Sequence, residues 1–460
     1  MATLRVVRPG PLTSVQDLGR DGLGDQGIAP AGAMDSLALR LGNLVVGNPP
    51  NAAALEITLA GPILVAEGTM VVALAGAPFE AWLQTVGGAR SAVAPWQALR
   101  VQDGDRLTIG GAQQGARAYL CVAGGIDVPP HHDSRATHLG AGLGGLAGRA
   151  LRENDRLPVG TPRQGLEALA GRRVRRDLWP PYPAEATVRV ILGPQAEGFT
   201  PDAVATFLSA TYTVQPDSNR MGVRLSGPPL SHVDGADLTS EGIALGAVQV
   251  PHSGQPIVLM ADRQTTGGYT KIATVIGADI GVVGQARPGA RLRFEAVTVE
   301  AALAARRAQE ALVDETSIER TLTWGPAEVA ALLHAFAASG VGEMELEVEA
   351  LRLVLRREAR GAAGAGEPVA AVGENPPPTE APQALTAPLL GIFYRSGAAD
   401  VPPFVEVGDS VEAGQVVALI DVMKTLHEVR ATIGGRITAI LAENGALVEY
   451  DQPLMTFANP

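Results

Sequence analysis

The chain holds a single cysteine, Cys121, among 460 residues. That excludes an internal disulfide framework and any thiolate zinc cluster. Aromatic residues make up only 4% and charged residues 18%. Lys and Arg number 36 against 48 Asp and Glu, a net charge of −12. An acidic chain without a basic stripe is a poor ligand for nucleic acid or an anionic membrane, so neither is expected as a partner. No apolar run reaches the roughly 18 residues a membrane-crossing helix needs. MATLRVVRPG at the N-terminus has no signal-peptide core. The expectation is a cytoplasmic protein. There is no Walker A motif and no stretch left over for an ATP-binding domain.

What the chain does have is glycine, proline and short apolar runs. Gly 55 and Pro 34 exceed the usual combined share of about 12%. Thr69–Ala75, Arg117–Ala123, Thr187–Leu192 and Pro256–Ala261 are apolar stretches bounded by turn residues. Such punctuation suits β-barrels or sandwiches. Two short helices are expected. Asp35 would cap SLALRLGNLVV, stopped by Gly47, and Pro201–Ser209 is the second. Gly27–Ala33 (GIAPAGA) resembles Gly242–Ala247 (GIALGA), a hint of two related barrels. Cys121 lies in an apolar strand and reads as core. Gly140-x-Gly142-x-x-Gly145 matches a dinucleotide fingerprint but follows no apolar strand. His131-His132-Asp133 follows Pro129-Pro130 and reads as loop rather than metal site.

The organisation changes along the chain. Residues 1–296 are β-rich, and 297–322 form an Ala-rich helical connector. In 323–358, Pro326 opens a helix that Gly340 closes. A hairpin follows, in which Met344, Leu346 and Val348 alternate with glutamates. The parity switches before Leu351, Leu353 and Leu355, which marks the turn. Residues 359–384 are an Ala/Gly/Pro linker by composition. Residues 385–458 repeat internally. Gly408-x-x-Val411-Glu412-x-x-Gln415 recurs as Gly445-x-x-Val448-Glu449-x-x-Gln452, and Gly391-Ile392 corresponds to Gly435-Arg436-Ile437. Two similar half-sheets point to a quasi-twofold sandwich. Their junction is Asp421–Thr425, with Lys424 at a hairpin tip.

This arrangement resembles the biotinyl/lipoyl attachment domain, and Val422-Met423-Lys424 is similar to the biotin motif. The resemblance implies biotin in amide linkage on Lys424, flanked by Val422, Met423 and Thr425. The commonest motif has Ala and Met where Val422 and Thr425 stand. Ser396–Pro403 looks like the thumb of bacterial carrier subunits. Residues 323–357 resemble the segment of carrier subunits that engages biotin carboxylase. Acylation would remove the lysine's charge and let a long neutral arm enter apolar clefts.

The first 296 residues resemble a carboxyltransferase family. It includes the urea carboxylase carboxyltransferase region, allophanate hydrolase subunit 2, a 5-oxoprolinase subunit and a kinase-inhibitor antagonist. The matching stretches are Arg8–Arg20, Pro30–Asp35, Ala54–Thr58, Ala123–Ile126, Ser134–Thr137, Asn219–Gly222, Ala261–Tyr269 and Lys271–Ala273. A carboxyl-transfer site needs donors for the charge that develops on oxygen, and polar groups that hold a small amide by its carbonyl and N–H. Arg135, Thr137, Arg220, Asp262, Arg263, Gln264 and Lys271 are the candidates.

The expected fold is mainly β: a cyclophilin-like β-barrel carboxyltransferase domain and a C-terminal flattened biotinyl β-sandwich, with short helices between. The expected function is a subunit of a biotin-dependent, urea carboxylase-like ligase that transfers a carboxyl group to a small urea- or amide-type acceptor. Urea, guanidine-like compounds and lactams are all compatible. The implied partners are a biotin carboxylase subunit using ATP, Mg and bicarbonate, an allophanate hydrolase subunit 1-like half, and a biotin protein ligase. Two alternatives stand beside it: an ATP-dependent amide hydrolase subunit of 5-oxoprolinase type, and a non-catalytic regulatory protein like the kinase-inhibitor antagonist.

Overall fold

The computed structural model describes residues 2–320, 343–348, 351–356, 383–386, 391–396, 402–422, 425–431, 434–442, 444, 446–448 and 452–458. The chain divides into two compact units, Met1–Gly340 and Val341–Pro460.

In the first unit, the N-terminal half builds two sheets. A five-stranded sheet has the order 13–16, 54–58, 117–122, 70–76, 98–101, and a six-stranded sheet the order 156–158, 3–8, 63–67, 106–112, 79–84, 90–92. Met70–Gly76 is buried at every position, which is why its sequence is a continuous apolar run. Phe79–Gln84 alternates buried and open positions because one face meets water. Leu4, Leu55, Leu64, Val72 and Leu120 fill the space between the sheets. The other face of the five-stranded sheet carries helix Ser36–Val45, whose Leu39, Leu41 and Val45 meet Val71, Ala73 and Cys121. Asp35 caps this helix, its Oδ1 accepting from Ala38 N at 3.1 Å. Cys121 is fully buried, and burial pushes its thiol up.

The C-terminal half of this unit is a closed seven-stranded barrel in the order 185–192, 271–275, 247–249, 257–259, 222–226, 212–214, 291–296. Glu185–Leu192 closes it by pairing in parallel with Arg291–Ala296. Helix Pro201–Ser209, capped by Thr200, stacks Phe207 on Phe294 at 4.4 Å. A separate two-stranded ribbon, Asp237–Gly242 with Thr266–Tyr269, stands outside the barrel ladder. In the described part of the connector an α-helix runs over Val299–Ala311, followed by a single 3-10 turn at Glu315–Ser317. Ile318–Arg320 is a strand paired with Arg172–Val174, where Ile318 sits opposite the buried Val174.

In the second unit, Glu343–Val348 pairs with Leu351–Arg356, and Val348 faces Leu351 as the parity switch requires. The helix expected after Pro326 lies outside the described residues, as does the linker up to residue 382. The C-terminal segment forms two four-stranded sheets over Phe393, Val417, Ile420, Ile437, Leu454 and Phe457. The sequence repeat is a structural one. Val411 pairs with Gly435 in one sheet, and Val448 pairs with Gly391 in the other.

Candidate functional site

Between the two halves of the first unit runs a buried polar seam. Glu56 lies on the strand Ala54–Thr58 and is 1% exposed. Its Oε1 accepts from Arg220 Nη1, and its Oε2 accepts from Met34 N and from the Tyr119 hydroxyl at 2.9 and 2.8 Å. Arg220 Nε and Nη2 donate to the two oxygens of Asp262 at 3.0 and 2.9 Å. Arg220 also donates to Gly32 O at 2.6 Å, so one guanidinium ties three segments together. Burial alone would raise the Glu56 carboxyl. Arg220, Arg117 and the two hydrogen bonds outweigh it and hold the group below the usual range. Burial would likewise lower Arg220, and the paired carboxylates raise it instead. Asp35 is raised by burial, although Gln285, Ala38 N and Tyr182 donate to it.

Beside the seam, a cavity of about 560 Å³ opens between the halves. Pro30, Ala31 and Ala33 come from one side, and Leu245, Ala261 and Arg263 from the other. Both copies of the short sequence match therefore meet here. Arg263 Nε donates to Ile243 O at 3.1 Å and Nη1 to Met260 O at 3.3 Å. These bonds fix the guanidinium plane at the cavity wall. Burial lowers Arg263, and the nearby Asp21 partly offsets that. Asn51 lines both this cavity and a smaller one of about 220 Å³ that contains Arg135.

The seven candidates fall into separate environments. Arg220 and Asp262 are consumed by their own ion pair, 4% and 3% exposed. Thr137 Oγ1 donates to Val15 O at 2.9 Å and is fully buried. Arg135 donates to Val128 O and Asp127 at the edge of the smaller cavity. Of the seven, Arg263 alone lines the large cavity. Gln264 is exposed, and Lys271 is buried beneath the ribbon with Nζ 2.5 Å from Glu241 Oε1. Glu56, Asp35 and Arg20 lie in the matching stretches of the sequence, where Asp35 reads only as a helix cap and the other two draw no role. Arg20 is 2% exposed, bonds to Ala136 O and His131 O, and leaves Nη1 without a partner among the described residues.

The glycine fingerprint at 140–145 also receives a physical reading. A Cβ on Gly144 would collide with Ala136 O, and one on Gly145 would collide with Thr137 Oγ1. These glycines allow the loop to lie on Arg135–Thr137, which accounts for them as packing residues.

In the second unit, Val416–Val422 and Thr425–Arg430 form a hairpin whose register pairs Val422 with Thr425. Met423 and Lys424 join the two strands and lie outside the described residues.

Residues 26–296 match the family described as carboxyltransferase domain, subdomain A and B, and 383–457 match the biotin-requiring enzyme family. The chain is 42% identical over 307 residues to a 5-oxoprolinase subunit of Escherichia coli, covering 67% of this chain and 95% of that one. It is 45% identical over 71 residues to the biotin carboxyl carrier protein of acetyl-CoA carboxylase of Nostoc, 15% of this chain and 39% of that one. The crystal structure of the K. lactis urea amidolyase superposes with a TM-score of 0.64 at 30% identity, covering 71% of this chain and 20% of that chain. Among the described residues no helix is long and apolar enough to cross a membrane. With its matched domain spanning more than half its length, the chain belongs to the carboxyltransferase family of subdomain A and B type, and it carries a biotin-carrier domain behind that module.

Proposed function

We propose that the chain is the carboxyltransferase and carrier subunit of a biotin-dependent carboxylase, acting on a small urea- or amide-type nitrogen. The observation that carries this reading is the union of both modules in one chain. The alignment to the E. coli 5-oxoprolinase subunit takes in 95% of that protein but only 67% of this one. The carrier domain is thus an addition that a plain counterpart of that subunit does not need.

Lys424 fits a covalent biotin. Its primary amine can form an amide, and the hairpin register leaves it between two paired strands. Biotin bound there would supply a carrier for an activated carboxyl group. Val422, Met423 and Thr425 flank the lysine as the ligase's recognition surface. The large cavity, with Arg263 fixed at its wall, would receive the acceptor and hold charge that develops on oxygen. The Glu56–Arg220–Asp262 seam acts one layer back and sets the spacing of the two halves that form the cavity. A separate biotin carboxylase would use ATP, Mg and bicarbonate. An allophanate hydrolase subunit 1-like half would complete the transferase, and a biotin protein ligase would modify Lys424.

A second reading is favoured by one observation, the 42% identity to a 5-oxoprolinase subunit. There the chain would serve ATP-dependent opening of an amide ring. The substitution Lys424→Arg separates the two. With the reconstituted partners, carboxylation of the acceptor should fall at least a hundredfold, and the protein's mass should lose the biotinyl adduct. Full activity of the variant would sink the carboxylase reading and favour the hydrolase.

A further inference from the structure

The two cavities of the first unit adjoin at Asn51, and their charges differ. In the larger one, Arg40 and Arg263 are matched in number by Asp21 and Glu310. In the smaller one, Arg135 is answered by Asp127 at 2.9 Å, and its Nε donates to Val128 O at 2.8 Å. Arg163 lines the same cavity, is exposed, and has no hydrogen-bond or ion-pair partner among the described residues. One positive charge is therefore in surplus there, in a chain whose net charge is −12.

The smaller cavity is built on fixed backbone. A Cβ on Gly124 would collide with Gly160 O, and a Cβ on Gly160 with Gly124 O, so glycine at both positions lets the two segments cross. That crossing brings the segment of Thr161 and Arg163 against the turn 124–127, and both residues line the cavity. Asn48, 5% exposed, fastens the floor: its Oδ1 accepts from Gly124 N and its Nδ2 donates to Val122 O, both at 2.7 Å. Asn43, fully buried on the helix Ser36–Val45, donates to Pro50 O at 3.3 Å and to Ala52 O at 2.8 Å. The carbonyls on either side of Asn51 are thus pinned, while its own amide has no partner among the described residues. A free amide on a fixed turn binds without further ordering of the backbone behind it.

We propose that the smaller cavity is a carboxylate subsite, in which Arg163 and Asn51 bind the anionic end of an acceptor whose amide lies in the larger cavity. A guanidinium binds a carboxylate through two parallel N–H···O bonds, and the Asn51 side chain can donate to the same group from the junction of the cavities. The balanced charges of the larger cavity suit a neutral amide, and the surplus charge of the smaller one suits a single negative charge. The acceptor is then a ureido or lactam acid rather than urea itself or a guanidinium cation, which Arg163 repels. The proposal rests on the placement of the acceptor in the larger cavity.

The test uses the full-length biotinylated chain and two matched pairs of probes, N-carbamoylglycine with its neutral amide and 5-oxoproline with pyrrolidinone, titrated by calorimetry at low salt. Within one pair the acid should bind at least tenfold tighter than its neutral partner. That preference should shrink as ionic strength rises, because Arg163 meets solvent. Arg163→Gln should bring the acid down to the level of the neutral partner, and Arg163→Lys should recover part of the difference. Asn51→Asp, which keeps the shape and adds a like charge, should weaken the acid at least tenfold. Acetate should weaken the apparent binding of the acid and not that of the neutral partner. Equal binding of acid and neutral partner by wild type would overturn the subsite, as would binding of neither pair, or a folded Arg163→Gln variant that keeps the preference. Acetate that tightens the neutral partner instead would assign the cavity to a separate small anion and overturn the shared ligand. The failures are distinguishable. Biotin-dependent carboxylation of urea by a wild type without any acid preference discards the subsite and keeps the carboxylase reading. An acid preference that vanishes in Arg163→Gln, with no biotin-dependent turnover by wild type and its reconstituted partners, keeps the subsite and discards the carboxylase.

Discussion

Glu56 is the residue on which the seam turns. It is fully buried, it faces Arg220 and Arg117, and its partners hold its carboxyl below the usual range against the effect of burial. A depressed carboxylate contributes stability that is fully present above the unfolded value, about 4.3. That stability is lost as pH falls through the folded value. Glu56→Gln leaves Arg220 with half its neutralisation, so it should cost about 3–5 kcal/mol near pH 7. Denaturant titration should show the gap between variant and wild type narrowing as pH drops below about 4. A gap independent of pH would mean that shape, not charge, supplies the contribution. The sequence shows Asp35 as a cap because the cap and its helix are neighbours. It conceals Glu56, whose partner Arg220 lies 164 residues away. A glutamate in the strand ALEIT looks like any polar residue on an open face until the second half of the unit is laid against it.

At the scale of elements, the helix Ser36–Val45 shows how tertiary contact overrides propensity. Gly42 sits mid-helix, where alanine would be favoured by about 1 kcal/mol. A Cβ there would stand 2.7 Å from Ala75 Cβ and 2.8 Å from Cys121 Sγ. Both are short side chains on fully buried strands of the sheet, and neither can swing away. Overpacking of this kind costs about 1–3 kcal/mol, which exceeds the propensity gain over most of that range. Gly42→Ala should therefore lower stability by about 1 kcal/mol, seen as a fall in the denaturant midpoint with unchanged slope. A rise would show that the helix rides freely over the sheet. Elements with strong periodicity are legible in the sequence. The Val348/Leu351 parity switch predicts the hairpin register, and the second helix occupies Pro201–Ser209 as expected, with Thr200 as a cap the sequence reading does not name. The ribbon is not legible. Its strands are mostly solvent-exposed and Gly-rich, so they carry no alternation of apolar and polar residues to read.

At the scale of the whole molecule, the two units have their own cores, and within the second unit's sequence an Ala-, Gly- and Pro-rich stretch, 359–384, precedes the internally repeated segment. That composition, together with the internal repeat over residues 385–458, makes the modular layout readable from the chain alone. The acceptor of the proposed reaction is not readable, because the cavity between the halves of the first unit is assembled from residues scattered from Leu18 to Glu310. The modular layout has a functional consequence. Under the proposed carboxylase reading the carrier has to reach both a carboxylase and the transferase, and a coil as long as residues 359–384 averages about 30 Å end to end. Deleting half of it would reduce that reach to about 20 Å. Such a deletion should leave biotin on Lys424 at wild-type occupancy, since the ligase meets only the carrier surface, yet reduce acceptor carboxylation at least tenfold. Replacing the whole segment with a Gly/Ser sequence of equal length should restore most of the activity. Mass spectrometry of the intact chain and acceptor-dependent turnover give the two readouts. Turnover unchanged by the deletion would mean that the carrier does not travel on this segment, and equal-length replacement that stays inactive would assign the segment a recognition role in its own right.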